Sequence, residues 1–249
     1  MDRKIYLSPF HKTSQPEWVC PICNRGILKG KKDSFIRIEH KESAVAHRHP
    51  DWEPEWITYS YSCQFVCTNS KCEETVFNVG TGTVEQEIDY SDEQGYYQTY
   101  FDLFTPTYFV PHLNLFQISP TTPRNIRDAI NKSFELFFAN PSAAANQLRI
   151  ALEHLLDHLK VKTYETSKGK RYLLSLHKRI GLMPKKVSEL KDLFLAIKWL
   201  GNDASHIEGV NKNDVLDAYE IFEEILEDIF GKKRKEIRKL AKRINKQRG

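Results

Sequence analysis

Four cysteines near the N-terminus form two closely spaced pairs, Cys20 with Cys23 and Cys67 with Cys72. Each pair can present two thiolates to one metal ion, and four thiolates make the tetrahedral sulfur site that Zn²⁺ prefers. We therefore expect a structural Zn²⁺, since four thiolates leave no open position for a catalytic water. The alternative is a set of buried free thiols.

The chain has further residues that could act as ligands in this region. The spacing of Cys63 and Cys67 is less usual for a metal-binding pair than the spacing of Cys67 and Cys72. We therefore expect Cys63 to be a spare thiol, either buried or on the surface. His40, His47 and His49 lie between the two cysteine pairs. They could replace a cysteine ligand, or they could be solvated histidines of a loop.

A second group of chemically capable residues comprises Lys198, Asn202 and His206. They recur at every fourth position and therefore share one face of a helix. A Lys, an Asn and a His on one face can bind and deprotonate a hydroxyl near a phosphate. The alternative is that Asn202 and His206 only form hydrogen bonds at a helix end. Gly201 costs a helix about 1 kcal/mol relative to Ala, which suggests close approach of another helix.

Arg149 is the other candidate cation for this group. Arg149 and Glu153 lie four residues apart and are expected to form an ion pair on one helix face. If their helix packs against the face that carries Asn202 and His206, Arg149 could reach those residues.

The last eighteen residues, 232–249, contain ten Lys or Arg and one acid, although the net charge of the whole chain is only +4. Ile237, Leu240, Ala241 and Ile244 are spaced as an apolar stripe, so this tail is either a basic amphipathic helix or a disordered arm. A basic tail suggests an anionic partner. The residues predicted to bind nucleic acid are Lys232, Lys233, Arg234, Lys235, Arg238, Lys239, Lys242 and Arg243.

The elements that must position these residues change type along the chain. Residues 1–82 are rich in aromatic residues and alternate as strands do at 35–40, 56–61 and 76–79. We expect the glycines at 80 and 82 to end the third of these strands. We expect a β-rich zinc ribbon with a long insertion, poor in obvious core and dependent on its metal for folding. Residues 83–122 combine dense aromatic residues with prolines, which indicates strands and an extended linker.

Residues 123–231 have helical periodicity instead. Thr122-Pro123 and Asn140-Pro141 are helix starts. Further helices are predicted over 173–180, over 187–204, and over 214–230 with Asn213 as the cap. The predicted fold class is therefore α+β: a β-rich zinc ribbon followed by an all-α bundle of about five helices and the basic tail, 232–249.

Bulk composition indicates a soluble globular protein, with 40% hydrophobic residues and a mean hydropathy of -0.54. The apolar runs are too short to cross a bilayer and no signal peptide opens the chain, so we expect a cytoplasmic protein without membrane contact. Reduced cysteines in that compartment favour a metal site over disulfides.

Three stretches, Pro111 to Ile126, Ala143 to Glu153 and Lys198 to His206, resemble a bacterial domain family of unknown function in the HEPN superfamily. The resemblance covers about half of the chain. It implies an all-α bundle that forms a homodimer through the helices bearing the motif, often after a zinc ribbon. It also implies a link to RNA cleavage and to prokaryotic defence.

Many HEPN proteins are metal-independent ribonucleases with an Arg-polar-x3-His motif. The resemblance gives His206 the task of activating the ribose 2′-hydroxyl, and Asn202 matches the polar position. The motif arginine is absent, because Gly201 stands before Asn202. Lys198 or Arg149 would have to hold the phosphate instead, and Lys lacks the bidentate guanidinium.

Three functions are compatible with these patterns. The first is a defence-associated, zinc-binding protein that binds nucleic acid, in particular RNA, and acts as a metal-independent endoribonuclease. The second is a non-catalytic module that dimerises and docks a partner effector or restriction-type protein. The third is a sensor of nucleotides, which we place last because the chain has no glycine-rich phosphate loop.

Overall fold

The structure, a computed structural model, describes residues 2–92, 95–203 and 209–231, and within the tail residues 236, 237, 240, 241 and 243–246. For residues 202 and 203 it describes the backbone only. The chain divides into two compact units, Met1–Asn114 and Leu115–Gly249.

The first unit is built on a five-stranded antiparallel sheet in which β1 and β2 both pair with β3, followed by β4 and β5. Its strands are β1 (Leu28–Gly30), β2 (Ile36–Glu39), β3 (Thr58–Cys67), β4 (Thr75–Ser91) and β5 (Gly95–Val110). Two short helices, α1 (Lys4–Leu7) and α2 (Lys41–Ala46), accompany them, with a 3-10 turn at Pro54–Trp56.

Aromatic rings make up the core of this unit. Trp18 is fully buried and meets Phe10, Phe65 and Phe109 edge-on, with ring centroids 5.5, 5.2 and 5.0 Å away. Its indole Nε1 donates a hydrogen bond of 2.8 Å to the Ile5 carbonyl, so the polar atom is satisfied as well. The expectation of a ribbon poor in core is therefore wrong.

The predicted fold class is wrong in the same region. Strand β4 does not end at Gly80 and Gly82 but passes through both to Ser91, and β5 pairs with it up to Val110. An added Cβ at Gly82 would lie 2.8 Å from the Phe104 ring on β5. Glycine here permits close packing inside a continuous strand, so a large curled sheet replaces the small ribbon.

Strands β4 and β5 continue beyond their neighbour β3. The pairing of β3 with β4 ends at Thr58 and Thr83, whereas the pairing of β4 with β5 continues to Ser91 and Gly95. Residues 84–92 and 95–102 therefore form a two-stranded extension, which we call the arm. No Lys or Arg occurs between Lys71 and Arg124.

In its described part, the second unit has five named helices, a hairpin and a few helical residues in the tail. The helices are α3 (Arg124–Leu136), α4 (Pro141–His158), α5 (Leu176–Gly181), α6 (Lys191–Asp203) and α7 (Lys212–Phe230), with a 3-10 helix at Lys185–Leu190. Helix α4 packs against α3, α6 and α7. The buried Ser133 hydroxyl donates to the Ala144 carbonyl at 2.7 Å and pairs with the Tyr219 hydroxyl at 2.9 Å, which links three helices.

The hairpin comprises β6 (Tyr164–Ser167) and β7 (Lys170–Leu173), so the prediction of an all-α bundle is also wrong. Lys168 and Gly169 at its turn both have positive φ, 47° and 72°, as a two-residue hairpin turn requires. The strand β7 includes Leu173, and α5 therefore begins three residues later than predicted.

The predicted start of α4 is confirmed, because the Asn140 side chain accepts a hydrogen bond of 2.9 Å from the Ala143 N–H. For α7 the cap is Asn211, not Asn213, since Asn211 and Asp214 form a reciprocal capping box. Among the helices in the described part of the chain, none has the length and apolar character needed to cross a membrane.

Candidate metal centre and basic surface

Two tight turns of the first unit carry the four cysteines. The first turn, between Val19 and Ile27, holds Cys20 and Cys23, and the second connects β3 to β4 and holds Cys67 and Cys72. The residue after the second cysteine of each turn has a left-handed backbone, with φ of 51° at Asn24 and 49° at Glu73. In each turn the N–H of this residue donates to the carbonyl four positions earlier, that of Cys20 and that of Asn69.

The turns bring all four sulfurs together. The Sγ atoms of Cys20, Cys23, Cys67 and Cys72 lie within 4.8 Å of one another, and this group could hold a metal ion. Two of the separations are 3.6 Å, between Cys23 and Cys67, and 3.9 Å, between Cys20 and Cys72. Cys20 and Cys67 are buried, so the centre lies partly inside the unit.

Backbone groups act on the sulfurs directly. The Gly26 N–H donates to Cys23 Sγ at 3.4 Å and lowers the pKa of Cys23 to about 6. The Asn69 N–H donates to Cys67 Sγ, also at 3.4 Å, but burial raises the pKa of Cys67 to about 12. A coordinated cation would offset the cost of burying such a thiolate, because a coordinated thiol is deprotonated.

Two supporting residues were missed from the sequence. An added Cβ at Gly26 would overlap Cys67 Sγ and lie 2.9 Å from the Asn69 backbone nitrogen, so only glycine fits. The Asn114 amide donates to the Pro21 carbonyl at 2.8 Å and steadies the first turn. The position of Gly26, three residues after Cys23, could have indicated its role from the sequence. Nothing in the sequence indicates Asn114, because it is 90 residues from Asn24, with which it also forms a hydrogen bond.

The other candidate ligands take different roles. Cys63 is buried beside Asn78, and burial raises its pKa to about 12, so it is the buried thiol of the two alternatives. His40 pairs with Ser60 at 2.8 Å and His47 with Glu39 at 2.8 Å. Neither belongs to the four-cysteine group.

The structure describes part of the group predicted on α4 and α6. An added Cβ at Gly201 would lie 2.9 Å from Arg149 Cβ, which confirms the close approach of the two helices. Arg149 forms an ion pair with Glu153 at 3.3 Å, as expected. Lys198 is only 8% exposed, and its Nζ lies 3.0 Å from the Trp199 ring centroid.

The remaining predicted residues have no described side chains, with one exception. His206 and the side chain of Asn202 lie outside the described residues. In the tail, Arg243 is described and exposed. Those outside the described residues are Lys232, Lys233, Arg234, Lys235, Arg238, Lys239 and Lys242.

The second unit also carries a basic surface that the sequence reading overlooked. Residues 160–191 contain ten Lys or Arg and two acids. Two of the cations are engaged locally, since Arg179 pairs with Asp157 at 2.6 Å and Lys191 donates to the Gly181 carbonyl. The other eight are exposed and define the basic surface: Lys160, Lys162, Lys168, Lys170, Arg171, Lys178, Lys185 and Lys186.

Two adjoining clefts run through the basic surface and share Lys160 and Pro184. The larger has a volume of about 1080 Å³ and is also lined by Lys162 and Lys178. The smaller, of about 620 Å³, is lined by Lys186 as well. Four of the eight cations thus line grooves.

The hairpin adds aromatic rings to the basic surface. The Arg171 guanidinium lies over the Tyr164 ring at 3.8 Å, a cation–π contact that fixes both side chains. Tyr172 is 52% exposed on the opposite face of the hairpin, where Lys170 also lies. Charge and exposed rings therefore occur together.

Residues 8–109 are similar to a domain of unknown function (DUF8608), and residues 131–247 to another domain of unknown function (DUF4145). One matched stretch falls in each of the two units. Neither the curated proteins nor the solved structures include a match to the chain.

Proposed function

We propose that this protein binds nucleic acid through its helical unit, without sequence specificity and without cleaving it, and that a structural Zn²⁺ holds its first unit together. The observation that carries the proposal is the basic surface, whose eight exposed cations include four that line two adjoining clefts. RNA is the expected ligand.

Zinc is supported by the spacing of the sulfurs. A tetrahedral Zn²⁺ with Zn–S bonds of about 2.3 Å requires sulfurs about 3.8 Å apart. The separations of 3.6 and 3.9 Å lie on either side of this value. Cys20, Cys23, Cys67 and Cys72 would hold the ion, which would crosslink the two turns and leave no site for a substrate.

Nucleic-acid binding is supported by the distribution of charge and rings. Lysines along a groove can follow a phosphate backbone, and the release of its counterions supplies affinity without sequence readout. Tyr172, exposed next to Lys170, offers a face on which an unpaired base can stack. This combination favours single-stranded nucleic acid.

The contacts of the candidate catalytic cations favour binding over cleavage. The Lys198 ammonium packs on Trp199, and the Arg149 guanidinium is held by Glu153 and Asn146. Both cations are thus engaged in contacts within the helices. The HEPN resemblance, the role in defence and the ribonuclease chemistry of His206 stay predictions.

The proposal predicts that the affinity for RNA falls with increasing salt and requires the cations of the hairpin. The variant Lys168→Gln/Lys170→Gln/Arg171→Gln should bind a short single-stranded RNA at least about tenfold more weakly. The slope of log K against log[salt] should become smaller by about 2 to 3, since each lost phosphate contact removes nearly one unit. Fluorescence anisotropy over a series of NaCl concentrations measures both.

The control is Lys29→Gln/Lys31→Gln/Lys32→Gln, which removes the same charge from exposed lysines of the first unit. This variant should bind like the wild type. If both variants lost the same affinity for RNA, net charge alone would explain the effect, and binding at a defined surface would be refuted. Gel analysis of the RNA should show no cleavage, and cleavage that disappears in His206→Ala would favour the ribonuclease instead.

A further inference from the structure

The arm has two different faces. On one face Ile88, Tyr90, Tyr96 and Tyr100 are 67%, 58%, 82% and 42% exposed. The registers Tyr90 to Tyr96 and Ile88 to Gln98 place these residues on the same side. The rings of Tyr90 and Tyr96 lie 5.2 Å apart, so the arm presents a continuous apolar patch.

This patch continues the core face of the sheet. Along β4 the buried positions Val76, Asn78, Gly82 and Val84 alternate with exposed ones, and Ile88 and Tyr90 maintain the same alternation. The rest of this face is covered by the first unit, whereas the arm extends past β3. Exposed apolar patches of this kind mark interaction sites, and a lone pair of strands is marginally stable in water.

The opposite face of the arm is acidic along β4. Glu85, Glu87 and Asp89 alternate with the apolar residues on β4, and all three are exposed. Between residues 84 and 102 the sequence has six acids and no Lys or Arg. The partner that fits must therefore be apolar on one side and strongly basic around it.

The tail of this chain has that character. Ile237, Leu240 and Ile244 are helical and 56%, 45% and 44% exposed, with a spacing that forms one stripe. Their stripe spans about 10 Å along a helix. Tyr96 and Tyr100 span about 13 Å along a strand, a comparable length. The sequence of residues 232–249 contains ten Lys or Arg.

We propose that the arm is a docking surface for the basic tail of a second copy of this chain. The apolar stripe of the tail covers Ile88, Tyr90, Tyr96 and Tyr100, and its long cationic side chains reach past the strand edges toward the acids on the other face of the arm. Each chain has one arm and one tail, so two copies around a twofold axis satisfy both contacts. The tail then has a protein partner, and the basic surface alone is left for nucleic acid.

Sedimentation velocity tests the proposal on the full chain. The wild type should form dimers, and the dissociation constant should rise at least about tenfold in Ile88→Thr/Tyr90→Thr/Tyr96→Thr and in Leu240→Ser/Ile244→Ser. As a control, Ile36→Thr/Ile38→Thr alters two exposed residues of β2, 58% and 68% exposed, and should leave the dimer unchanged. A wild type that stays monomeric overturns the proposal.

Mixing the arm variant with the tail variant distinguishes docking of the tail on a second copy from docking of the tail on the arm of its own chain. The arm variant retains an intact tail and the tail variant an intact arm, so fluorescently labelled samples should form mixed dimers with one contact. Absence of mixed dimers overturns the proposal.

A milder variant guards against misfolding of the arm. The variant Glu85→Gln/Glu87→Gln/Asp89→Asn keeps side chains of the same size on the strand. It should raise the dissociation constant of the dimer and make that constant less dependent on salt. An unchanged dimer in this variant overturns the charged part of the contact. Removal of residues 232–249 that weakens RNA binding but not dimerisation assigns the tail to nucleic acid and also overturns the proposal.

Discussion

Cys67→Ser should abolish stoichiometric zinc binding and lower the unfolding temperature of the first unit by at least about 10 °C. Cys67 lies at the end of β3, in register with Leu28 of β1, so a metal bond at Cys67 would join the sheet to the first cysteine turn. Metal analysis gives the zinc content. Tryptophan fluorescence follows unfolding, because Trp18, Trp52 and Trp56 are in the first unit.

Cys63→Ala is the matched control for this experiment. Cys63 is also a buried cysteine of β3 but lies outside the sulfur group, so the variant should keep one zinc per chain. Treating the wild type with a chelator should reproduce the loss of stability seen in Cys67→Ser. Equal zinc contents in the two variants would refute the assignment of the ligands.

Trp18→Ala should destabilise the first unit by about 3–5 kcal/mol, the usual cost of removing a large buried aromatic side chain. Trp18 is 0% exposed, and its ring contacts Phe10, Phe65 and Phe109. Because it lies two residues before Cys20, zinc should also be released at a lower urea concentration. Urea titration monitored by circular dichroism, together with a colorimetric zinc assay, measures both effects.

Trp56→Ala provides the comparison, since Trp56 is 44% exposed and contacts His49. Its cost should stay below about 1 kcal/mol, as for most exposed positions. If both variants unfolded at the same urea concentration, the aromatic core would not be what stabilises this unit.

The parts of the fold that were predictable are those governed by local chemistry. The cysteine spacing identified all four residues of the metal centre, and Asn140-Pro141 marked the start of α4, because ligands and caps act over a few residues. Gly201 indicated the approach of a second helix, and the structure identifies Arg149 as its neighbour.

The parts that were missed depend on distant partners. Gly80 and Gly82 look like strand ends in the sequence, but β5 approaches them closely and keeps β4 continuous. The aromatic core was overlooked for the same reason, since Trp18 and Phe109 are separated by 91 positions and meet only after the sheet forms. The hairpin around Gly169 was overlooked although its turn signal is local.

The basic surface could not be predicted from the sequence for another reason. Its cations are spread over residues 160–186, without the density of the tail, so composition draws attention to the tail first. Folding gathers Lys160, Lys178 and Lys186 around joined clefts. A charge count along the chain cannot show that convergence.

The contact between Gly26 and Cys67 bears on how this protein can evolve. A side chain at position 26 and a sulfur at position 67 would occupy the same space. A side chain gained at position 26 would displace the Cys67 sulfur and so cost the chain its metal site, whereas loss of Cys67 would relieve only one contact, because the Asn69 backbone nitrogen still lies 2.9 Å from the added Cβ. Relatives should therefore lose Cys67 before they gain a side chain at position 26.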